Sequence, residues 1–249
     1  YEYHMAIRRW GTWLAYALAV VPFASVTIEP RQTLAVAPVW QVAGTIALAL
    51  NFWLPVVAGI VMADRLPRDT RLGVRELLRS LPLSRWAYVL GKYVGVVSAA
   101  MTPVVLAVLL LAAIGVAMQG APLTLLPAAL VAFLAINVPA YLFVGAFSLA
   151  CPAVLPVRVY QILYTGYWFW ANYINPKALP TLNGTLLTPS GEFVANAFFL
   201  ATMPSASAPL QESTVSRTFA VLNVTVLVAC AAAALVALTG YLAWQERRA

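Results

Sequence analysis

The chain has 249 residues, of which 63% are hydrophobic and only 9% charged, with a mean hydropathy of +0.85. A soluble domain carries roughly 25% charged residues, so too few are present here to coat a water-facing surface, and a soluble globular fold is excluded. The formal net charge of +7 would suggest nucleic acid in a soluble protein. Here the charges fall between apolar runs, so membrane topology explains them and no nucleic-acid partner is expected.

Crossing a bilayer takes ~20 apolar residues. Reading the runs between charges predicts six transmembrane helices, at about 11–28, 38–63, 91–118, 123–150, 159–175 and 218–244. The expected fold is therefore an all-α integral membrane protein, with residues 1–249 forming a single transmembrane domain. Residue 1 is Tyr rather than Met, so either residues precede it or Met5 is the start. The first apolar run shows no small-residue cleavage pattern, and no cleavable signal peptide is expected.

Orientation follows from Lys and Arg. With a cytoplasmic N-terminus, one side receives Arg8, Arg9, Arg65, Arg68, Arg71, Arg75, Arg79, Arg85, Lys92, Arg158, Arg247 and Arg248. The other side receives only Arg31, Lys177 and Arg217. This asymmetry predicts a multi-pass protein of the cell membrane with both termini cytoplasmic.

Within the second span, Asn51 and Trp53 stand out as neutral polar and amphipathic groups. Pro55, Pro103, Pro127 and Pro139 are each positioned to kink a span, although proline is common in membrane helices. Apart from Lys92, near the cytoplasmic end of the third span, the span interiors hold no Asp, Glu, Lys, Arg or His. An ionisable residue at a helix centre costs about 2.5–3.5 kcal/mol on insertion scales and is kept for a purpose. Its absence argues against proton-coupled transport and intramembrane metal catalysis. The single histidine, His4, lies outside the spans, which argues against haem binding.

The loop from Asp64 to Lys92 reads DRLPRDTRLGVRELLRSLPLSRWAYVLGK. Pro67 with Asp69 or Thr70 signals a helix start, and Pro82 a stop. Between them Val74, Leu77, Leu78 and Leu81 recur on one helical face, with Arg68, Arg71, Arg75 and Arg79 in the adjacent stripe. This basic amphipathic helix over 70–81 fits two roles: an interfacial helix held by anionic lipid, or a docking helix for a cytoplasmic partner.

The string RELLRSLPLSRWAYVLGKYVG at 75–95 resembles the loop between the second and third spans of type-2 ABC exporter permeases. The matching residues are Glu76, Leu77, Leu78, Leu81, Pro82, Leu83, Ser84, Arg85, Tyr88, Gly91 and Lys92. In that family the loop forms the coupling helix, seated in a groove of the ATP-hydrolysing subunit. The resemblance therefore implies that Arg71, Arg75, Glu76, Leu77, Leu78, Arg79 and Leu81 dock an ABC ATPase subunit. The opening YEYHMAIRRW also resembles the family's amphipathic helix before the first span, and the six-span layout agrees over the whole chain.

The fifth run carries Tyr160, Tyr164, Tyr167, Trp168, Phe169, Trp170 and Tyr173, a density that suits an interfacial belt or a cavity-lining helix. Tyr160, Tyr164 and Tyr167 recur at i, i+4 and i+7, with Asn172 nearby. In type-2 ABC exporters the second and fifth spans line the cavity between two permeases. The resemblance thus makes Asn51, Trp53, Tyr160, Tyr164, Tyr167 and Asn172 candidate substrate-path residues, while helix–helix packing is the plainer role for such aromatics.

Residues 175–217 form a long proline-rich connection on the outer side. Within it SGEFVANAFFLATM, at 190–203, is too short to span. Ser190 is a candidate cap, and Phe193, Val194, Ala197, Phe198 and Ala201 would share a face. The segment is expected to pack on, or dip into, the outer end of the bundle. By resemblance to the short outer helices of type-2 ABC exporters, Phe193 and Phe198 become candidate outer-gate residues; the alternative is a plug covering apolar surface.

No G-x-x-x-x-G-K-[ST] sequence occurs, so the phosphate cradle and its Mg²⁺-binding hydroxyl are lacking. Neither metal ligands nor a catalytic constellation is evident, and the chain is not expected to be an enzyme or to hold a cofactor. Cys151 and Cys230 fall at different membrane levels and should not pair. Asn183-Gly184-Thr185 matches a glycosylation sequon, but an Arg- and Ala-rich, Lys-poor composition looks bacterial. The resemblance implies a permease subunit working by alternating access with a second permease, identical or homologous, within membrane lipid. ATP and Mg²⁺ would be bound by partner ATPase subunits. A non-transporting membrane anchor or scaffold is the alternative.

Overall fold

The structure, a computed structural model, describes residues 2–8, 10–24, 38–73, 84–176, 178–202 and 215–248. Every regular element among them is helical. A short helix, α1 (Glu2–Ile7), precedes α2 (Trp10–Ala24), and the Trp13 indole N–H closes the turn by donating to the Ile7 carbonyl at 2.7 Å. Next come α3 (Val39–Leu50), α4 (Leu54–Met62) and α5 (Arg65–Arg71). The longest helix is α6 (Arg85–Gln119), at 35 residues. It is followed by α7 (Leu125–Ala132), a π-helical turn at Phe133–Asn137, and α8 (Val138–Ala150), which tightens into a 3₁₀ turn at Cys151–Ala153. The last three helices are α9 (Val157–Asn172), α10 (Glu192–Phe199) and α11 (Arg217–Arg248).

Among the described residues, three helices are long and apolar enough to cross a membrane: Arg85–Gln119, Leu125–Ala153 and Arg217–Arg248. Val39–Leu50 with the helix beginning at Leu54 makes a fourth when taken as one span bent by 43°. These features are those of a multi-pass membrane protein. Helix α2, at 15 residues, and α9, at 16, are shorter than the ~20 residues of a full span.

The four prolines marked in the sequence have different outcomes. Pro103 sits within α6, which stays continuous. Pro127 lies in the first turn of α7, where a missing N–H costs nothing. Pro139 cannot donate to Ala135, and the chain absorbs this in the π-helical turn, where the Val138 N–H reaches back to the Phe133 carbonyl. Pro55 falls in the first turn of α4, and the second span breaks just before it, at residues 51–53.

Helix α8 occupies the centre, packed against α4, α6 and α11. Close approach depends on glycine. A Cβ added at Gly145 would lie 2.3 Å from Val97 Cγ2, and one at Gly59 would lie 2.2 Å from Tyr164 Cε1. The near end of the bundle carries α1, α5, the start of α6 and the end of α11. An Arg85–Glu246 ion pair at 2.7 Å joins the last two. The far end carries the starts of α3, α7 and α11.

The loop after the second span departs from its predicted form. The expected helix over 70–81 was to start at Pro67, with Asp69 or Thr70 as cap. Instead α5 begins at Arg65 and ends at Arg71, and Gly73 is left-handed at φ +67°. Pro67 is tolerated within the first turn, and Asp69 is an interior residue whose carboxylate is engaged elsewhere. Val74, Arg75, Glu76, Leu77, Leu78, Arg79, Leu81 and Pro82 lie outside the described residues.

The outer segment dips into the bundle. The Ser190 carbonyl meets Asn51, eleven residues beyond the Trp40 level, whereas Phe199 lies against Gly44 and 6.1 Å from Trp40, ring to ring. Helix α10 therefore runs alongside α3 from the middle of the span towards the far end. Gly191, not Ser190, takes the cap position, left-handed at φ +80°. The Ser190 hydroxyl accepts the Glu192 N–H at 3.4 Å. Leu200 ends the helix, left-handed at φ +54°, and the Ala201 N–H bonds the Ala195 carbonyl at 3.0 Å.

Candidate functional site

The break at 51–53 releases backbone carbonyls inside the bundle, where each must find a donor. Pro55 has no N–H to give Asn51, and the Val56 N–H turns to Trp53, so the Asn51 and Phe52 carbonyls lose their helical partners. Helix α9 supplies replacements. The Tyr173 hydroxyl, just past its end, donates to the Asn51 carbonyl at 3.4 Å, and the Trp168 indole to Phe52 at 3.0 Å. One and two turns further on, the Tyr164 hydroxyl donates to Pro55 at 2.7 Å and the Gln161 amide to Ile60 at 3.0 Å. The aromatic density of the fifth run thus laces it to the broken second span.

The side chain of Asn51 extends this seam. It is fully buried, donates to the Ser190 carbonyl at 2.8 Å, and accepts from the Asn137 amide at 3.1 Å. Asn137, at the end of the π-helical turn, also donates to the Ala47 carbonyl at 3.0 Å. One asparagine pair therefore joins the break between α3 and α4, the π-helical turn before α8 and the entry to α10. Gly191 closes the junction: a Cβ there would lie 2.6 Å from Ile136 Cγ2 and 3.2 Å from Asn51 Nδ2.

Next to this junction is Glu192, only 5% exposed, with neither carboxylate oxygen hydrogen-bonded among the described residues. Burial pushes its carboxyl up to about 7. Sequence reasoning passed over this residue. The available signal was a lone carboxylate inside the apolar run 190–203. Asn223 ties α11 to the same region, donating to the Leu186 and Thr188 carbonyls at 2.9 and 3.0 Å.

The candidate path residues do not share one surface of the chain. Asn51 and Asn172 are buried, and the Asn172 amide donates to the Trp168 carbonyl at 2.7 Å. Tyr160 and Tyr164 are buried and stacked at 5.6 Å, and the Tyr160 hydroxyl pairs with Ser148 at 2.8 Å. Tyr167 is half-buried beside Trp170 instead, because the inward face follows 160, 164 and 168. Trp53 is exposed and packs edge-to-face on Phe169 at 4.9 Å. Of the two gate candidates, Phe193 is buried against Phe219 at 4.9 Å, while Phe198 is 46% exposed.

A second polar cluster lies at the near end. Lys92 is 3% exposed and donates to Asp69 at 2.6 Å and Glu2 at 2.9 Å. The Tyr88 hydroxyl donates to the same Asp69 oxygen at 2.6 Å. Buried Arg65 adds a second cation, its pKa lowered by burial and supported by the charges of Glu2 and Asp64. Arg71 is exposed and pairs with Asp64. Ser84 caps α6 by accepting the Ala87 N–H at 3.2 Å. Three residues of the 75–95 string, Arg85, Tyr88 and Lys92, thus tie α6 to α11, α5 and α1. Cys151 and Cys230 are free thiols, and no cluster of metal-binding side chains occurs among the described residues.

Comparison of the chain with known protein families, curated proteins and solved structures found no match to any of the three.

Proposed function

We propose that this chain is the membrane permease subunit of an ATP-driven exporter of the type-2 ABC kind, with ATP and Mg²⁺ bound by separate ATPase subunits. In this reading α2 and α9 are the first and fifth of six spans, both termini are cytoplasmic, and the near end faces the ATPases. The observation that carries the proposal is the buried Lys92 cluster. The docking segment that contains Arg75, Glu76, Leu77, Leu78, Arg79 and Leu81 is bounded by α5 and α6. Lys92 clamps these two helices to each other and to α1. A push on the segment therefore displaces α1, α5 and α6 together, and α6, about 50 Å long at 1.5 Å per residue, carries the motion to the far end.

There the broken second span and the fifth helix, laced by four hydrogen bonds, move as a pair. The outward face of α9, with Val159, Ile162, Leu163 and Trp170 exposed, receives the second permease. Tyr167 and Trp53, beside that face, line the path between the two copies, and α10 closes its exit. Alternating access follows from ATP-driven approach of the two ATPases.

The test is co-purification in mild detergent, with and without Glu76→Arg plus Leu77→Asp. An ATPase with a phosphate-binding loop should accompany the parent and be lost from the variant, which should still insert normally. Failure to recover an ATPase after crosslinking would reject the permease reading in favour of an anchor or scaffold.

A further inference from the structure

The far half of the bundle holds an open apolar groove of about 650 Å³. Its walls include Trp40 of α3, Leu134 of the π-helical turn, Val194 and Phe198 of α10, and Val221 and Thr225 of α11. Trp40, Leu134, Phe198 and Val221 are all exposed, yet they form one concave surface. The Thr225 hydroxyl adds no polarity, since it is spent on the Val221 carbonyl at 2.9 Å.

Among the described residues, one charge stands at the rim. Arg217, the first residue of α11, is exposed and lies one turn beyond Val221, towards the far end. Its guanidinium sits over the Phe198 ring at 5.9 Å, and no carboxylate pairs with it among the described residues. Stacking on the ring holds the cation at the mouth of the groove. Trp40, near the start of α3, shares that level, where indoles favour the membrane–water boundary.

An apolar slot within the bilayer half, with a fixed cation at its outer end, is complementary to an acyl chain carrying an anionic headgroup. We infer that this groove binds one anionic phospholipid from the far leaflet, its acyl chain along Leu134, Val194 and Val221 and its phosphate on Arg217. The bound chain covers apolar surface between α10 and the fourth and sixth spans, and so bears on how freely α10 can leave its seat. This inference needs only a chain that lies in a bilayer and is independent of the exporter reading.

The experiment is native mass spectrometry of the full chain in maltoside, titrated separately with phosphatidylglycerol and phosphatidylcholine. Flotation of the source membranes establishes insertion beforehand. The parent should retain one phosphatidylglycerol, preferred over phosphatidylcholine by about fivefold, the effect of one cation on an anionic headgroup. Arg217→Gln should remove that preference while leaving weaker binding of both lipids. Val221→Trp, which fills the groove from an exposed position, should abolish retention of both while the melting temperature in detergent stays that of the parent. Equal retention by parent and Val221→Trp, or an undiminished preference in Arg217→Gln, would overturn the proposal. The groove would then belong to another occupant, such as residues 203–214 or a second copy.

Discussion

Glu192 offers the sharpest measurement. Its carboxyl is buried at the junction of α10 with Asn51 and Asn137, without a hydrogen-bond donor among the described residues. Burial raises its pKa from 4.5 to about 7. That gap corresponds to about 3 kcal/mol, at 1.36 kcal/mol for each pH unit. The sign follows from proton uptake. Between pH 4.5 and 7 the folded chain holds a proton that the unfolded chain has released, so stability falls as pH rises. The carboxyl is neutral in both states below this window and the penalty is absent; above it the full cost of a buried charge remains. Burial is the cause of this shift, and every other titratable group is retained in Glu192→Gln. The difference between parent and variant therefore isolates the carboxyl. Denaturant unfolding in maltoside, followed by tryptophan fluorescence from pH 4.5 to 8.5, should give equal stabilities at the acid end. At the alkaline end the variant should be the more stable by about 3 kcal/mol. A difference that stays constant across the range would refute the argument, since it would mean that Glu192 titrates alike folded and unfolded.

Three further substitutions probe the framework around it. Leu200→Gly should stabilise the chain by about 0.5–1 kcal/mol in the same assay, because a left-handed Leu is strained and Leu200 is mostly exposed. Gly191→Ala should cost about 3 kcal/mol by adding backbone strain to a collision with Ile136, seen as a lower denaturant midpoint. Lys92→Met should also cost about 3 kcal/mol, since it leaves Asp69 and Glu2 facing each other without their cation. Adding Asp69→Asn should recover part of that loss, and tryptic cleavage at Arg8 should be fast in the single variant and slower in the double.

What the sequence announced, and what it concealed, divides along the range of the interactions concerned. Apolar runs and their bounding charges act locally, so the long helices of the third, fourth and sixth runs were legible within a few residues. Pro55 announced a disturbance in the second span, and Asn51 and the aromatics of the fifth run were conspicuous as unusual chemistry. Their meeting was not legible. It depends on α9 lying antiparallel along the break, so that donors at 161, 164, 168 and 173 fall on carbonyls at 60, 55, 52 and 51.

Asp69 shows the converse. Local rules favour it as a helix cap, because a carboxylate after a proline is placed to accept free N–H groups. Lys92 and Tyr88, 23 and 19 residues later, offer a buried cation and a hydroxyl on the next helix. A charge-assisted bond in a water-poor interior outweighs a cap worth about 1 kcal/mol, so Asp69 turns inward and the helix starts earlier, at Arg65. The same reasoning explains why Glu192 was passed over. The sequence marks a carboxylate in an apolar run as a surface residue at a helix start. Only the descent of α10 to the level of Asn51 takes it out of water, and that descent is set by a single hydrogen bond to Ser190 and by the room that Gly191 leaves against Ile136. Burial of the Glu192 carboxyl and the seating of α10 are therefore set by the same contacts: the side that Asn51, Ser190 and Gly191 hold against the bundle is the side that keeps the carboxyl out of water.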